Sequence, residues 1–406
     1  MNSRFLAGGT LRRVALIYDA TRAYDLKVMT GVAGYLQEGA RWSVYLGESA
    51  LKDQRLPNLG SWQGDGVIAN FDDPGIARTV ARSGLATVAF GSGYGWYAPA
   101  SDVPYFFTNN RSIAHMAADH FIDRGFLHFA YCGYPRTRIN GWSEEREAAF
   151  KQYLGRRKLP CRIFRAVHSN EAWASVQQSL RVWLKSLPKP TALMAANDNR
   201  ARQVLEACRS AGLQVPEDVA VIGVDNDELL CQLSTPLLSS VEQGAKRIGY
   251  EAAALLDRIM SGQTPHCKQA VIDPVGIATR RSTDVLAIRD AKVARAMAFV
   301  RDHAGEGLKV QDVVRAVAMS RSGLEVRFKA SLGVTIHGSI RRVQMERVRR
   351  LVADTNLPLK EIAANNRLSS VQYMTALFAK TFGHPPGEYR AWANAGHAGE
   401  LRSKLR

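Results

Sequence analysis

The sequence predicts an α/β protein in two unlike parts: a two-lobed domain of doubly wound parallel sheets, then an all-α domain with two helix-turn-helix motifs. Short apolar runs alternate with helical stretches from residue 12 to about 260. Past residue 285 the strand-like runs stop, and a short helix–turn–helix pattern occurs twice around a long arginine-rich segment. Basic charge gathers in that second part: residues 285–406 carry 21 Lys and Arg against 10 Asp and Glu, out of 54 and 37 in the whole chain.

Taken in order, apolar runs at 14–18, 43–46, 66–71 and 86–90 read as short buried strands, with a helix over 24–37 between the first two. The alternation restarts past Tyr105: strands at 106–108, 128–131, 161–166, 192–196 and 219–224, and helices at 113–121, 144–154, 172–184, 200–210 and 245–260. Apolar strands alternating with helices mean a parallel sheet covered on both faces. The expected division is a domain over 10–284, with lobe 1 about 10–108, lobe 2 about 109–240 and crossovers back near 240–275. The last helix, 245–260, is expected to complete the second lobe.

Open α/β sheets place ligands beyond the C-terminal ends of their strands, and two lobes share one cleft there. The polar residues just past the strand ends are therefore the site candidates: Tyr24 and Asp25, Asn70, Phe71 and Asp72, then Trp142, Arg146, Asn197, Asp198 and Asp225, with Gln243 at a crossover. Carboxylates, amides, one arginine and aromatic rings suit a sugar, whose hydroxyls need donors and acceptors. Each residue taken singly also fits a helix cap or a turn.

In the second part, expected over 285–395, the motifs span 309–333 and 359–383. Val310, Val313, Val314 and Val317 fall on one helical face. Ser320 is placed to cap the next helix, which buries Leu324, Phe328 and Leu332 and ends at Gly333. Arg321, Ser322, Glu325 and Lys329 remain outward. The second copy buries Leu359, Ile362 and Ala363, then Met374, Leu377 and Phe378 behind a cap at Ser369 or Ser370. It presents Val371, Gln372, Thr375, Ala376 and Lys380. The segment 334–353 between the copies would span about 30 Å as a helix, against about 34 Å for one turn of B-DNA. Two recognition helices on such a strut reach successive major grooves of double-stranded DNA. Arg341 and Arg342, with Arg347, Arg349 and Arg350, then face phosphates or form a solvated surface.

Other chemistries find little footing. Gly91–Ser92–Gly93 lacks the third glycine of a dinucleotide loop, where Trp96 stands. Phosphate-loop and HExxH patterns are missing, so no cofactor and no metal is expected. No apolar run reaches 18 residues, so no membrane span is expected. Residues 1–10 lack the apolar core of a signal peptide. Five scattered cysteines, Cys132, Cys161, Cys208, Cys231 and Cys267, read as reduced thiols of a cytoplasmic protein.

Ser320–Arg321–Ser322, Arg327–Phe328 and the run Phe378–Ala379–Lys380–Thr381–Phe382–Gly383 closing on Pro386–Gly387–Glu388–Tyr389–Arg390 resemble the DNA-binding domain of the AraC/XylS regulators. Arg367 and Leu368 stand where that family usually has a Gly–Phe-like pair. Trp142–Ser143–Glu144–Glu145–Arg146, Ala196–Asn197–Asp198, Val221–Ile222–Gly223–Val224–Asp225 and Ser239–Ser240–Val241–Glu242–Gln243 resemble the sugar-sensing core shared by periplasmic sugar-binding proteins and LacI/GalR repressors. That resemblance implies a periplasmic-binding-protein-like (type I) fold and ligand contacts from Arg146, Asn197 or Asp198, Asp225 and Gln243.

The pairing of the two, with Ala23–Tyr24–Asp25 and Gly64–Asp65–Gly66–Val67–Ile68–Ala69, resembles the xylose operon regulators along nearly the whole chain. It implies D-xylose as effector and transcriptional activation as outcome; the expected mechanism pairs DNA-binding domains across a homodimer, with RNA polymerase as partner if the protein is an activator. Sequence leaves a repressor of the same architecture open, and also a DNA-tethered carbohydrate enzyme pairing Asp25 with Asp72.

Overall fold

A computed structural model describes residues 11–47, 62–93, 102–135, 137, 140–165, 173–265, 268–285, 287 and 290–394. Cys267, the Tyr94–Gly95–Trp96 part of the glycine loop and the Arg350 side chain lie outside the described residues.

The chain begins with β1 (Arg12–Ile17), α1 (Ala23–Gln37), β2 (Trp42–Gly47), β3 (Gly66–Asn70), α2 (Pro74–Ala81), β4 (Ala86–Gly91) and β5 (Tyr105–Thr108). Then follow α3 (Asn110–Ile122), β6 (Phe129–Gly133), α4 (Gly141–Gly155), β7 (Cys161–Arg165), α5 (Trp173–Ser186), β8 (Thr191–Ala195), α6 (Asp198–Ala211), β9 (Val219–Val224) and α7 (Glu228–Leu233). The two-lobed part closes with β10 (Ser239–Glu242), α8 (Ala245–Met260), β11 (Gln269–Ile272) and β12 (Gly276–Ala278).

The strands form two six-stranded sheets, ordered β11-β5-β4-β3-β1-β2 and β12-β10-β9-β8-β6-β7. Among the described residues every pairing is parallel except β10 with β12. β3, β6, β8 and β9 are buried along their whole length, as strands covered by helices on both faces must be. The chain passes between lobes near Asn109, Gly244 and Pro274.

One expectation is corrected. α8 does not complete lobe 2; its apolar face, Ile248, Ala252, Leu255 and Leu256, shares a core with Val14, Val28, Val32 and Ile68 of lobe 1. Two glycines allow α8 to lie against α1. A Cβ on Gly31 would stand 1.9 Å from the Lys246 carbonyl oxygen, and one on Gly249 would stand 1.8 Å from that of Val28. β11 and β12 gave no sequence signal because they are short and half exposed. α2 was also not anticipated; Asp73 caps it and Pro74 opens it.

The helical part runs α9 (Ala291–His303), α10 (Val310–Val317), α11 (Arg321–Leu332), α12 (Ile336–Asp354), α13 (Leu359–Asn365), α14 (Val371–Phe382) and α15 (Pro386–Asn394). Each helix-turn-helix has its own core. α9 supplies Val293, Met297 and Val300 to the first, with Val313, Leu324 and Phe328. The second gathers Ile362, Met374, Phe378 and Tyr389. α12 enters both, through Ile336 and Ile340 at one end and Met345, Val348 and Val352 at the other. Its 19 residues span about 28 Å.

Candidate functional site

The cleft lies between the lobes. Arg22, Tyr24 and Ser92 line it from lobe 1, Trp142, Arg146, Asn197, Asn199 and Asp225 from lobe 2, and Gln243 from a crossover. The Arg146 guanidinium is oriented before any ligand arrives. Its Nε donates to Asn110 Oδ1 at 2.8 Å, one Nη donates to the Ala196 carbonyl at 2.7 Å, and the group lies 4.8 Å from the Trp142 ring centroid. Asn197 caps α6 by accepting from the Arg200 N–H at 3.0 Å, and accepts from Tyr134 Oη at 2.9 Å. For this residue the cap and the cleft position coincide.

Asp225 carries φ of +111° at the end of β9, a costly conformation for a side-chain-bearing residue. Its carbonyl and that of Asn226 accept from Lys27 Nζ at 2.7 and 2.9 Å, so an α1 lysine of lobe 1 holds the lobe 2 turn. Gln243 Nε2 donates to the Asp225 carboxylate. Burial pushes the Asp225 carboxyl up, opposed by the Arg146 guanidinium and by Gln243. Asp225 lines the cleft with one oxygen already accepting from Gln243, and Arg146 lines the same cleft with the complementary charge.

Five expected residues stand behind the wall of the cleft. Asp25 accepts two bonds from Asn70 Nδ2, at 3.0 and 2.8 Å, and one from the Asp19 N–H at 2.9 Å. Asp72 accepts from Arg22 at 3.1 Å and from the Ser92 N–H at 2.8 Å. Phe71 packs in a lobe 1 core with Ile17 and Val67. Asp198 accepts from the Asp227 N–H at 2.8 Å and from Ser240 Oγ at 2.6 Å. These carboxylates position loops and the Arg22 guanidinium. Asp25 and Asp72 both pair with Arg22, at 3.8 and 3.1 Å, and neither lines the cleft, where the glycosidase reading needed them. Arg22, Ser92 and Asn199 were missed, although each sits just past a strand end, where the rule used for the others would have found it.

Ser320 caps α11 by accepting from the Gly323 N–H at 3.2 Å, and Ser370 caps α14 by accepting from the Tyr373 N–H at 3.0 Å. Gly333 and Gly383 end these helices at φ of +69° and +82°. Arg321, Ser322, Glu325, Lys329, Gln372, Ala376 and Lys380 are exposed; Val371, Thr375 and Arg341 are partly so. Val326, 70% exposed beside Glu325, was not anticipated on this face. Arg321 Nε donates to Glu325 at 3.2 Å.

Two of the strut arginines, Arg342 and Arg349, are a correction. Arg342 bridges Asp119 at 3.4 Å and Asp123 at 3.0 Å, both on or beside α3 of lobe 2. Arg347 lies against Gly305. Arg349 is buried and donates to the Val275 carbonyl and to Tyr389 Oη. Facing carboxylates and a carbonyl, Arg342 and Arg349 dock the helical part onto the two-lobed part.

Among the described residues no cluster of His, Cys, Asp and Glu could hold a metal ion, and no helix is long and apolar enough to cross a membrane. Cys132, Cys208 and Cys231 are buried free thiols and Cys161 is partly exposed.

Comparison with known proteins agrees with this two-part arrangement. A XylR N-terminal domain matches residues 13–111, a periplasmic binding protein-like domain 118–283 and a helix-turn-helix domain 313–391. The chain is 37% identical to the xylose operon regulatory protein of Escherichia coli (strain K12), over 93% of this chain and 96% of that protein. It is 34% identical to that of Haemophilus influenzae, over 93% and 98%. The solved structure of the xylose-binding transcription activator XylR matches with a TM-score of 0.61 at 36% identity, covering 94% of this chain and 98% of that one.

Proposed function

The chain belongs to the xylose operon regulatory proteins and is a DNA-binding transcription regulator rather than an enzyme; from that premise we propose that it activates pentose uptake and catabolism genes when D-xylose occupies the interlobe cleft. The observation that carries this reading is the convergence of Trp142, Arg146, Asn197, Asp225 and Gln243 on one cleft. A ring face, a guanidinium, two amides and a carboxylate match a small polyol with a donor and an acceptor on each hydroxyl.

Sugar shifts the lobes toward the state it binds more tightly. In a cytoplasmic homodimer, that shift reorients paired helical domains so that they fit tandem half-sites. Arg321, Ser322 and Glu325 read bases in one major groove, and Gln372 and Thr375 read them in the next. Val371 and Ala376 meet thymine methyl groups, and Lys329, Lys380 and Arg341 hold phosphates. RNA polymerase is the partner recruited at the promoter.

The test is fluorescence anisotropy of labelled promoter DNA from pentose uptake and catabolism genes of the same genome, with and without D-xylose, alongside a promoter reporter. Tighter binding and higher transcription with D-xylose support the reading. Equal binding, or transcription that falls, contradicts it.

A further inference from the structure

The third passage between the lobes, 273–275, is also the segment on which the second helix-turn-helix is seated. The Val275 N–H donates to the Glu242 carbonyl at 2.8 Å, one residue before the cleft residue Gln243. The Val275 carbonyl accepts from Arg349 of α12 and from Tyr389 Oη of α15. Its side chain packs on the core formed by Val348, Phe378 and Tyr389. Gly276 makes room for this seat, since a Cβ there would stand 2.0 Å from an Arg349 nitrogen. The passage is also tied to the first crossover: Asn109 Nδ2 donates to Asp273 at 2.7 Å, and the Asn109 N–H donates to the Ile272 carbonyl at 2.9 Å.

We propose that Val275 is the mechanical link between the cleft and the DNA-binding part, so that lobe movement at Gln243 is delivered to the second helix-turn-helix through Arg349 and Tyr389. This rests on the sugar-cleft reading for its trigger, though not for its geometry. When the lobes rotate about their crossovers, 273–275 must change its backbone angles. The helical part then follows, or the Tyr389 hydroxyl loses its acceptor and Arg349 loses one of its bonds. A two-state element biased from both ends is what reciprocal coupling requires.

The test compares the full-length chain with the double variant Tyr389→Phe/Arg349→Met, which keeps the apolar packing and removes both donors. In the parent, saturating D-xylose changes operator affinity by at least ~10-fold. In the variant the change falls below ~3-fold, while D-xylose affinity stays within ~3-fold of the parent. A variant that keeps the full sugar effect overturns the proposal. Hydrogen exchange at the Val275 and Gly276 amides, without ligand, is the second readout. If D-xylose has no effect on the parent, the ligand reading fails and exchange alone decides: faster exchange in the variant supports the link, and unchanged exchange overturns it.

Discussion

Arg342 of the strut helix stands 3.0 Å from Asp123 and 3.4 Å from Asp119, so an arginine that helix position alone would offer to DNA is turned toward the sensor. The pair separates two roles for basic residues on one domain. Arg342→Ala is expected to leave the salt dependence of operator binding unchanged. Lys329→Ala and Lys380→Ala, which remove exposed cations, should each lower the slope of log K against log salt by about 1. Anisotropy over a salt series measures both.

Asp123 also sets a pH dependence. Burial pushes its carboxyl up from 3.8 to about 7, opposed by Arg342 and reinforced by Asp119. Between those values the folded chain binds the proton and the unfolded chain does not, so this group's contribution is fully present below about pH 4 and is lost as pH rises through about 7. Asp123→Asn is expected to remove that slope, so that the parent's stability relative to the variant declines across the window. Urea melts at successive pH values give the comparison.

In the cleft, Asp225→Ala removes a carboxylate acceptor and the nearby charge that acts most strongly on the Arg146 guanidinium. Hydrogen bonds to charged groups contribute about 1.5–3 kcal/mol, so the dissociation constant for D-xylose should rise by about 10- to 150-fold. Asp25→Asn, behind the wall, should instead act mainly on stability. Calorimetric titration and thermal melts on the two variants distinguish these effects.

At the second helix-turn-helix turn, Arg367 adopts φ of +49°, the left-handed region that disfavours a side chain. Arg367→Gly relieves that strain and adds freedom to the unfolded chain, and the two effects partly offset. The expected net result is stabilisation of up to about 1 kcal/mol, read from the chemical melt of the full chain.

Much of this was legible in the sequence, and for definable reasons. The buried strands β3, β8 and β9 were found because parallel strands covered on both faces leave continuous apolar runs. The cap Ser320, the stop Gly333 and a second cap at Ser369 or Ser370, realised at Ser370, were legible because capping needs particular side chains at fixed places. What escaped depends on tertiary pairing. α8 carries a strong apolar face, and nothing local says which lobe will receive it. Asp25, Asp72 and Asp198 obey the strand-end rule as well as Asp225 does. Whether a carboxylate faces the cleft or ties a loop depends on Asn70, Arg22 and Ser240, which come from distant parts of the chain. Arg342 and Arg349 lie on a basic helix whose inner side is defined only once it docks.

The measurement that bears most directly on the account is a calorimetric titration of the purified chain with D-xylose, run beside L-arabinose, D-ribose and D-glucose and repeated on Asp225→Ala. Saturable binding of D-xylose, tighter than the other three sugars and weakened at least ~10-fold in the variant, is the predicted result. No binding of D-xylose, or binding that Asp225→Ala leaves unchanged, would contradict it.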